Sequence, residues 1–315
     1  MLIGVDVGGT NLRVGVVDGL RVIDEQRVNA DFAGLCRSST PDRALQAIQA
    51  MLVDVLSASL RKYPAVTAVG LGFPGFIVSG RVVQSPNLPG LVDVDLVAPL
   101  GISLGCPVII ENDALAAAYG EYRLALSLNP LTPDGQARPH AGLVYLGLGT
   151  GVGGGLIAGG APYSGEHGVA MEVGHLIVEP DGRLCGCGNR GCMEQYASAS
   201  GVAMTYLELS GNSLMADQIA ERAATGDAHA IAAYALAGAK LAQALAHILK
   251  VVDIGQVVIG GGMSAAWPWL RAGFEQRLDL DLIPALRGKI RITLSRAGDQ
   301  AGMIGASWLA MEKTP

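Results

Sequence analysis

A glycine-rich turn between two short apolar segments occurs twice in this chain. The first turn is Gly8-Gly9-Thr10, between apolar segments at residues 2–7 and 12–17. The second is the glycine run of residues 147–155, set within an otherwise apolar stretch from 143 to 157. Apolar segments of this length bounded by glycine are typical of buried strands joined by tight turns. We interpret them as a weak internal duplication in which each half opens with a strand, a Gly/Thr turn and a second strand.

Helical and strand-like patterns alternate along the rest of the sequence. Leucine, isoleucine and valine recur at helical spacing over residues 41–62, and Pro41 stands where helices accept proline. The same patterns predict strands at 66–73, 108–111 and 256–259, and helices at 114–126, 227–252 and 299–311. Alternating strands and helices predict α/β domains.

The length and composition favour two domains. A chain of 315 residues with a hydrophobic fraction of 50% can bury more core than one small domain needs. A polar loop rich in proline and glycine, at residues 127–140, follows the helix predicted at 114–126. We place the domain boundary near these two segments and expect a cleft between the domains.

Charge and hydropathy argue against two kinds of partner. The net charge is −6, and no run of Lys or Arg forms the basic stripe that nucleic-acid binding needs. Apolar stretches such as residues 141–148 are far shorter than the roughly 20 residues that cross a bilayer. Because the sequence enters a predicted strand at Leu2, we expect no export signal. These features predict a cytoplasmic protein that binds neither nucleic acid nor membrane.

Three of the five cysteines, Cys185, Cys187 and Cys192, lie within eight residues and are separated by glycines. His175 precedes them. One imidazole and three thiolates are the Cys3His donor set of a closed tetrahedral zinc site. The alternative is four unrelated buried side chains, which would require the cysteines to cluster by chance. We therefore predict a structural Zn²⁺ in a protein of a reducing compartment.

Three glycine-rich turns are candidates for binding phosphate. Asp6 lies just before Gly8-Gly9-Thr10, where backbone amides suit phosphate oxygens and the carboxylate suits Mg²⁺; an ordinary hairpin is the alternative. Residues 149–154 match the dinucleotide fingerprint G-x-G-x-x-G, but apolar glycine-rich sequence follows in place of a helix. No Walker Gly-Lys-Ser/Thr sequence is present. Turns near residues 8, 149 and 261 therefore fit one nucleotide gripped from both sides of a cleft.

Glu111-Asn112-Asp113 lies where a predicted buried strand ends and a helix begins. Asp is a common N-cap, and capping is the simplest role for Asp113. A carboxylate at such a position can also accept the proton of an attacking hydroxyl during phosphoryl transfer. These residues alone leave both roles open.

The order of these motifs resembles the ROK family of bacterial sugar kinases, and the resemblance covers nearly the full length. It rests on the segments 6–10, 72–75, 85–88, 111–114, 148–151, 172–175, 185–192 and 259–262. The most specific part runs from Gly174-His175 to Glu194 and resembles the family signature G-H followed by C-x-C-G-x-x-G-C-x-E. Within the family the sequence is most similar to glucokinases.

This resemblance implies the actin-like ATPase fold, an α/β architecture with ribonuclease-H-like cores in two domains and an interdomain cleft. The N-terminal domain would span residues 1–118, and a C-terminal helix at 298–315 would pack back on it. The C-terminal domain would span residues 119–297 and include the zinc loop. The resemblance also implies a homodimer.

The resemblance further implies a role for each matching residue. Asp113 would be the catalytic base. The sugar-binding residues would be Gly75, Asn87, Asn112, Asp113, Glu172, His175 and Glu194. The residues that hold ATP and its Mg²⁺ would be Asp6, Gly8, Gly9, Thr10, Asn11, Thr150, Gly151, Gly260, Gly261 and Gly262, although many family members carry Lys in place of Asn11. The zinc ligands would be His175, Cys185, Cys187 and Cys192, so that His175 would serve both metal and sugar.

The implied activity is ATP-dependent phosphorylation of a hexose at a primary hydroxyl, which would convert glucose to glucose 6-phosphate. An N-acetylhexosamine kinase acting on N-acetylglucosamine or N-acetylmannosamine is the alternative, since a pocket for a 2-acetamido group differs mainly in shape near C2. A non-catalytic sugar-responsive regulator is a further alternative. Such regulators carry an N-terminal helix-turn-helix domain, for which we expect no room before Leu2.

Overall fold

The computed structural model describes residues 1–128 and 142–313, and the chain divides into two compact units. The first unit comprises Met1–Gly142, Gly155–Ala170 and Asp299–Pro315, and the second comprises Leu143–Gly154 and Met171–Gly298. Most of the polar loop predicted at residues 127–140 lies outside the described residues. A domain boundary at residues 118 and 119 stays a prediction.

Eight strands belong to the first part of the chain. They are β1 (Leu2–Val7), β2 (Asn11–Asp18), β3 (Arg21–Asn29), β4 (Val69–Phe73), β5 (Phe76–Val78), β6 (Arg81–Gln84), β7 (Val92–Val94) and β8 (Val108–Asn112). One sheet has the order β3-β2-β1-β4-β8, and a small antiparallel sheet has the order β5-β6-β7. β1 pairs parallel with β4, and β4 pairs parallel with β8. The carboxyl ends of these three strands therefore meet at one edge of the sheet.

Four helices accompany these strands. They are α1 (Phe32–Ser38), α2 (Pro41–Lys62), α3 (Val97–Leu104) and α4 (Asp113–Leu128). α2 begins at Pro41, where the missing N–H of proline costs no helical hydrogen bond. Its buried side chains recur on one face and join the apolar core of the sheet: Ala44, Ile48, Leu52 and Leu56. The helix predicted at residues 41–62 is thus confirmed.

The second large sheet also has five strands. They are β9 (Gly142–Leu148), β10 (Val152–Ala158), β11 (Ala161–Pro162), β12 (Gln256–Gly260) and β13 (Arg291–Leu294). Their order is β11-β10-β9-β12-β13, with β9, β12 and β13 parallel. The remaining helices are α5 (Glu194–Ala197), α6 (Ala199–Ser210), α7 (Ala216–Ala224), α8 (Ala228–Val252), α9 (Trp267–Asp281) and α10 (Ala301–Lys313). This mixture of helices and sheets confirms the predicted α/β class.

The alanine-rich helix α8 packs closely on α9. A Cβ at Gly238 would overlap the Leu270 carbonyl, and a Cβ at Gly273 would overlap the Ala235 carbonyl. Small residues permit this short distance between helices. Within the described residues, α8 is the one helix long and apolar enough to cross a membrane, but half of its most apolar window is buried, as is usual for a core helix.

Helix α10 lies against β1, β4 and α4 within the first unit. Glycines allow backbones to touch there, because a Cβ at each would overlap a backbone carbonyl: Gly4 with Met303, Gly70 with Ala306, and Gly305 with Ala116. Because the backbone fixes the position of a Cβ and the atom that it meets is a backbone carbonyl, no side-chain rotation relieves such a clash. These close contacts therefore fix the distance between α10 and the strands that carry the candidate site.

The two predicted strand–turn–strand units are present, with one correction in the second. β1 and β2 pair as predicted. The second turn is shorter than predicted, because β10 begins at Val152 and takes in the next three glycines. A Cβ at Gly155 would lie 2.5 Å from the Ala118 Cβ, so close packing explains a glycine at that strand position. Residues 149–151 alone form the turn between β9 and β10.

The Glu25 carboxylate on β3 accepts hydrogen bonds from three side chains. Its Oε1 accepts from Arg13 Nη2 and from Arg27 Nε, each at 2.9 Å, and its Oε2 accepts from Gln300 Nε2 at 3.1 Å. Burial alone would raise the pKa of Glu25, but the bonds from Arg13, Gln300 and Arg27 outweigh it and lower the pKa to about 2. The ionised carboxylate therefore stabilises the folded state.

Glu25→Gln should remove part of the acid dependence of stability. Because the folded pKa lies below the usual 4.5, the carboxylate stabilises the fold above about pH 4.5, and this contribution is lost as the pH falls toward 2. In urea unfolding from about pH 5 to about pH 3, wild type should lose roughly 1–2 kcal/mol more unfolding free energy than the variant. Parallel losses in the two proteins would contradict this prediction.

Candidate active site and metal centre

Three parallel strands of the first unit bring candidate residues to one edge. The register places Asp6 of β1 beside Gly72 of β4, and Gly72 beside Glu111 of β8. β8 ends at Asn112, and α4 begins at Asp113. Strands lie about 4.8 Å apart, so the ends of β1 and β8 are roughly 10 Å apart across the sheet.

Asn112, and not Asp113, makes the capping hydrogen bond of α4. Asn112 Oδ1 accepts from the Leu115 N–H at 3.0 Å, which is the contact from an N-cap side chain to the third helical residue. The Asn112 amide nitrogen donates to the Gly75 carbonyl at 3.1 Å. Asp113 occupies the first helical position, and its Oδ1 accepts from the Ala114 N–H at 2.8 Å. The capping role that the sequence left open for Asp113 thus belongs to its neighbour.

Glu111 is a buried carboxylate to which the sequence assigned no role. Only 8% of its side chain is exposed. Its Oε2 accepts from Lys313 Nζ at 3.1 Å, and its Oε1 accepts from the Asn112 N–H at 3.1 Å. The signal in the sequence was an acidic residue at the end of the apolar run 108–110, where a charge is costly without a partner. The last turn of α10 is thereby tied to the strand that leads into Asp113.

Gly75 and Asn87, both predicted to contact sugar, lie in separate turns beside the small sheet. Gly75 has a φ of +146°, and a Cβ there would lie 2.6 Å from the Gln84 carbonyl oxygen, so glycine is required. Asn87 is exposed in a turn that the Leu88 N–H closes by donating to the Ser85 carbonyl at 3.2 Å. Sugar binding by these two residues stays a prediction.

The first glycine-rich turn joins β1 to β2 and is partly exposed. The Gly8 N–H donates to the Asn11 carbonyl at 2.8 Å and closes the turn, while the Asn11 side chain donates to Thr10 Oγ1 at 3.1 Å. Burial raises the pKa of Asp6, and the nearby Arg13 partly offsets this. A cation bound beside Asp6 would favour its ionised form. These residues thus fit a phosphate group with its Mg²⁺.

Two glycine-rich turns of the second unit lie side by side. β9 and β12 pair in parallel with Gly147 beside Gly260, which brings together the turns that follow these strands. Gly261 has a φ of +78°, and a Cβ there would overlap the Leu148 carbonyl. The Ser200 hydroxyl donates to the Thr150 carbonyl at 3.1 Å and fixes the first of the two turns. Two of the three turns predicted to hold a nucleotide therefore converge within one unit.

The four predicted metal ligands form one cluster in the second unit. The ligand atoms of His175, Cys185, Cys187 and Cys192 all lie within 4.8 Å of one another. Cys185 Sγ is 3.6 Å from His175 Nδ1, and Cys187 Sγ is 3.6 Å from Cys192 Sγ. Two ligands of a tetrahedral Zn²⁺ are about 3.7 Å apart, so the spacing fits this ion. Burial raises the pKa of the Cys192 thiol to about 12, and a divalent cation would reverse this preference.

The two glutamates predicted to bind sugar flank this cluster. His175 Nε2 lies 3.8 Å from Glu172 Oε2, while its Nδ1 faces the cluster. A carboxylate at the second imidazole nitrogen is the usual partner of a metal-bound histidine. Partial burial raises the pKa of Glu172. Glu194 Oε2 accepts from the Val152 N–H at 3.3 Å, and a Cβ at Gly151 would lie 2.5 Å from that oxygen, so Gly151 makes room for Glu194.

Known proteins resemble this chain over nearly its whole length. The model of the ROK family matches residues 2–313. A glucokinase from Thermotoga maritima is 32% identical over 99% of this chain and 98% of that protein. An N-acetyl-D-glucosamine kinase from Escherichia coli O127:H6 is 32% identical over 98% of this chain and 99% of that protein.

The fold is shared with a solved structure. A ROK family glucokinase from Streptomyces griseus, in complex with glucose and AMPPNP, matches with a TM-score of 0.77 and 31% identity over 99% of both chains. The architecture predicted from the sequence is thus confirmed. The family match and the shared structure together establish that the chain belongs to the ROK family and has its two-domain actin-like ATPase fold.

Proposed function

We propose that this protein is an ATP-dependent sugar kinase that phosphorylates glucose at its primary hydroxyl, with Asp113 as the catalytic base. The observation that carries the proposal is the start of α4, where Asn112 makes the capping hydrogen bond and Asp113 follows at the first helical position. Because the helix has its cap from Asn112, capping does not account for the carboxylate at Asp113. A carboxylate at this position can accept the proton of a bound sugar hydroxyl.

The proposed mechanism assigns the proton and the positioning to different side chains. A sugar hydroxyl is a poor nucleophile at neutral pH, so Asp113 accepts its proton as the phosphoryl group moves. Asn112, Glu172, His175 and Glu194 contact the other sugar hydroxyls and orient the attacking oxygen. Asn112 is suited to this role because its side chain is already held by Leu115 and Gly75.

We propose that the glycine-rich turns and Asp6 bind the nucleotide and its metal ion. The turns at residues 8–11, 150–151 and 260–262 bind the phosphates and the nucleoside of ATP. An Mg²⁺ ion held beside Asp6 with ATP would neutralise charge on the transferring phosphoryl group. Asp6 helps to place that ion, which would favour the ionised carboxylate over the neutral form that burial favours.

We assign a structural Zn²⁺ to the Cys3His cluster. Four protein ligands complete a tetrahedral site and leave no position for a catalytic water. The ion would hold the segment between Glu172 and Glu194, and with it the two carboxylates proposed to contact sugar. His175 would coordinate the metal through Nδ1 and would contact the sugar through Nε2.

Glucose is the first choice of substrate, and N-acetylglucosamine is the second. The glucokinases from Thermotoga maritima and Streptomyces griseus support glucose. The Escherichia coli N-acetyl-D-glucosamine kinase supports the alternative at the same level of identity as the Thermotoga relative. Both substrates present the same primary hydroxyl and differ at C2.

A coupled ADP-release assay over glucose, mannose, fructose, N-acetylglucosamine and N-acetylmannosamine tests this choice. We expect kcat/KM for glucose to exceed that for each acetamido sugar by at least about tenfold, the discrimination that a well-fitted pocket gives against one extra group. A higher kcat/KM for an acetamido sugar would replace glucose kinase by N-acetylhexosamine kinase. ADP release that does not depend on any sugar would reject both.

A further inference from the structure

Arg183 is the centre of a hydrogen-bond network beside the cysteines. Its side chain is 14% exposed. All five guanidinium N–H groups have acceptors. Nε donates to Glu208 Oε1 at 3.1 Å, and Nη2 donates to Glu208 Oε2 at 2.5 Å and to Thr205 Oγ1 at 2.9 Å. Nη1 donates to the Gln195 carbonyl at 2.6 Å and to the Gly201 carbonyl at 3.2 Å.

These contacts join the segment of residues 176–193, here called the cysteine loop, to the helices that follow it. Gln195 lies in α5, and the other acceptors lie in α6. The Arg183 N–H also donates to Tyr196 Oη at 3.0 Å, and the guanidinium carbon lies 4.6 Å from the centroid of the Tyr196 ring. Arg183 therefore contacts α5 through both its main chain and its side chain.

The position of Arg183 in the chain connects the metal cluster to a proposed sugar ligand. Cys185 follows Arg183 by two residues, and Glu194 directly precedes the acceptor Gln195. On its other side, Glu194 accepts from the Val152 N–H. The hydrogen bonds of Arg183 thus help to fix the position of Cys185 relative to Glu194, as a bound metal would.

We propose that Arg183 is a positioning residue that holds Cys185 and Glu194 in place for metal and sugar binding. The inference rests on the proposed metal site and on the proposed kinase function. The planar fork of arginine is needed, because lysine offers three donors at one nitrogen and cannot reach acceptors on α5 and α6 together. Groups that hydrogen-bond directly to a metal ligand typically change metal affinity by about 10- to 100-fold when they are removed, and Arg183, which acts through the chain two residues from Cys185, should have an effect near the lower end of that range.

The test compares Arg183→Met and Arg183→Lys with Arg271→Met as the matched control. Arg271 pairs with Glu275 on the exposed face of α9 in the same unit. Three readouts are measured on the purified full-length protein: zinc release to a chromogenic chelator, amide hydrogen exchange of the cysteine loop, and kcat and KM for glucose. Arg183→Met should release zinc at least about tenfold faster than wild type, and the amides of its cysteine loop should exchange faster. Its KM for glucose should rise about tenfold, with a smaller change in kcat.

The outcomes separate this inference from the function on which it rests. Arg183→Lys should fall between wild type and Arg183→Met, and Arg271→Met should match wild type. If Arg183→Met does not fold, Arg183→Lys and Glu208→Gln carry the test, and each should speed zinc release several-fold. Unchanged zinc release and loop exchange in the Arg183 variants would overturn the inference. If the purified wild-type protein contains no zinc, the proposed metal site is wrong. The amide hydrogen exchange of the cysteine loop in the Arg183 variants then tests whether Arg183 holds this loop in place.

Discussion

Asp113→Asn should lower kcat by about 10²- to 10⁴-fold while KM for the sugar changes little. The amide retains an oxygen that can accept from the Ala114 N–H, so the local structure of α4 is kept. What it loses is the ability to take a proton from the sugar hydroxyl as the phosphoryl group moves. Steady-state kinetics with saturating MgATP, together with calorimetric titration of both ligands, measures the effect.

A matched control for this substitution is Asp95→Asn in the same unit. Asp95 Oδ1 accepts from the Val97 and Ala98 N–H groups at the start of α3, so it is a carboxylate at a helix start without a proposed catalytic role. Its kcat should stay within about twofold of wild type. An Asp113→Asn protein that is folded, binds both ligands and keeps near wild-type kcat would refute Asp113 as the base.

Cys192→Ser should abolish stoichiometric zinc binding and lower stability. Cys192 is fully buried within the cluster, and serine is a poor ligand for Zn²⁺. A metal present at a thousand times its Kd stabilises the folded state by about 4 kcal/mol. Loss of that contribution should lower the thermal midpoint by roughly 6 °C. Elemental analysis of the purified protein and calorimetry measure the two effects.

Sugar binding should weaken in the same variant, because the cluster holds the segment that carries Glu172 and Glu194. Cys106→Ser is the control, since Cys106 is a partly buried thiol outside the cluster. It should keep one zinc per chain. A Cys192→Ser protein with unchanged zinc content would show that the metal binds elsewhere.

Features encoded by neighbouring residues were predictable from the sequence. The spacing of Cys185, Cys187 and Cys192 indicated a cluster that the structure assembles with His175. The apolar run before Glu111 and the helical pattern after it placed Asp113 at a strand-to-helix junction. Such signals need only a few consecutive residues, because turns, caps and metal loops are local structures.

Features that depend on distant residues were not predictable. Glu111 finds Lys313 only because α10 returns to the sheet of the first unit, and no local pattern joins residues so far apart. The five donors of Arg183 likewise meet acceptors on two later helices. The three short strands of the small sheet carry too few residues for a clear alternation. The assignment of the cap to Asn112 required geometry, since Asn and Asp are equally good N-caps.

We propose that this protein transfers a phosphoryl group from ATP to a sugar. The most direct measurement is ADP formation by the purified wild-type protein with MgATP, with and without glucose, combined with identification of the phosphorylated product. We predict ADP formation only when glucose is present, with one glucose 6-phosphate formed for each ADP. ADP formation at the same rate without sugar, or no phosphorylated product from any hexose tested, would contradict the claim.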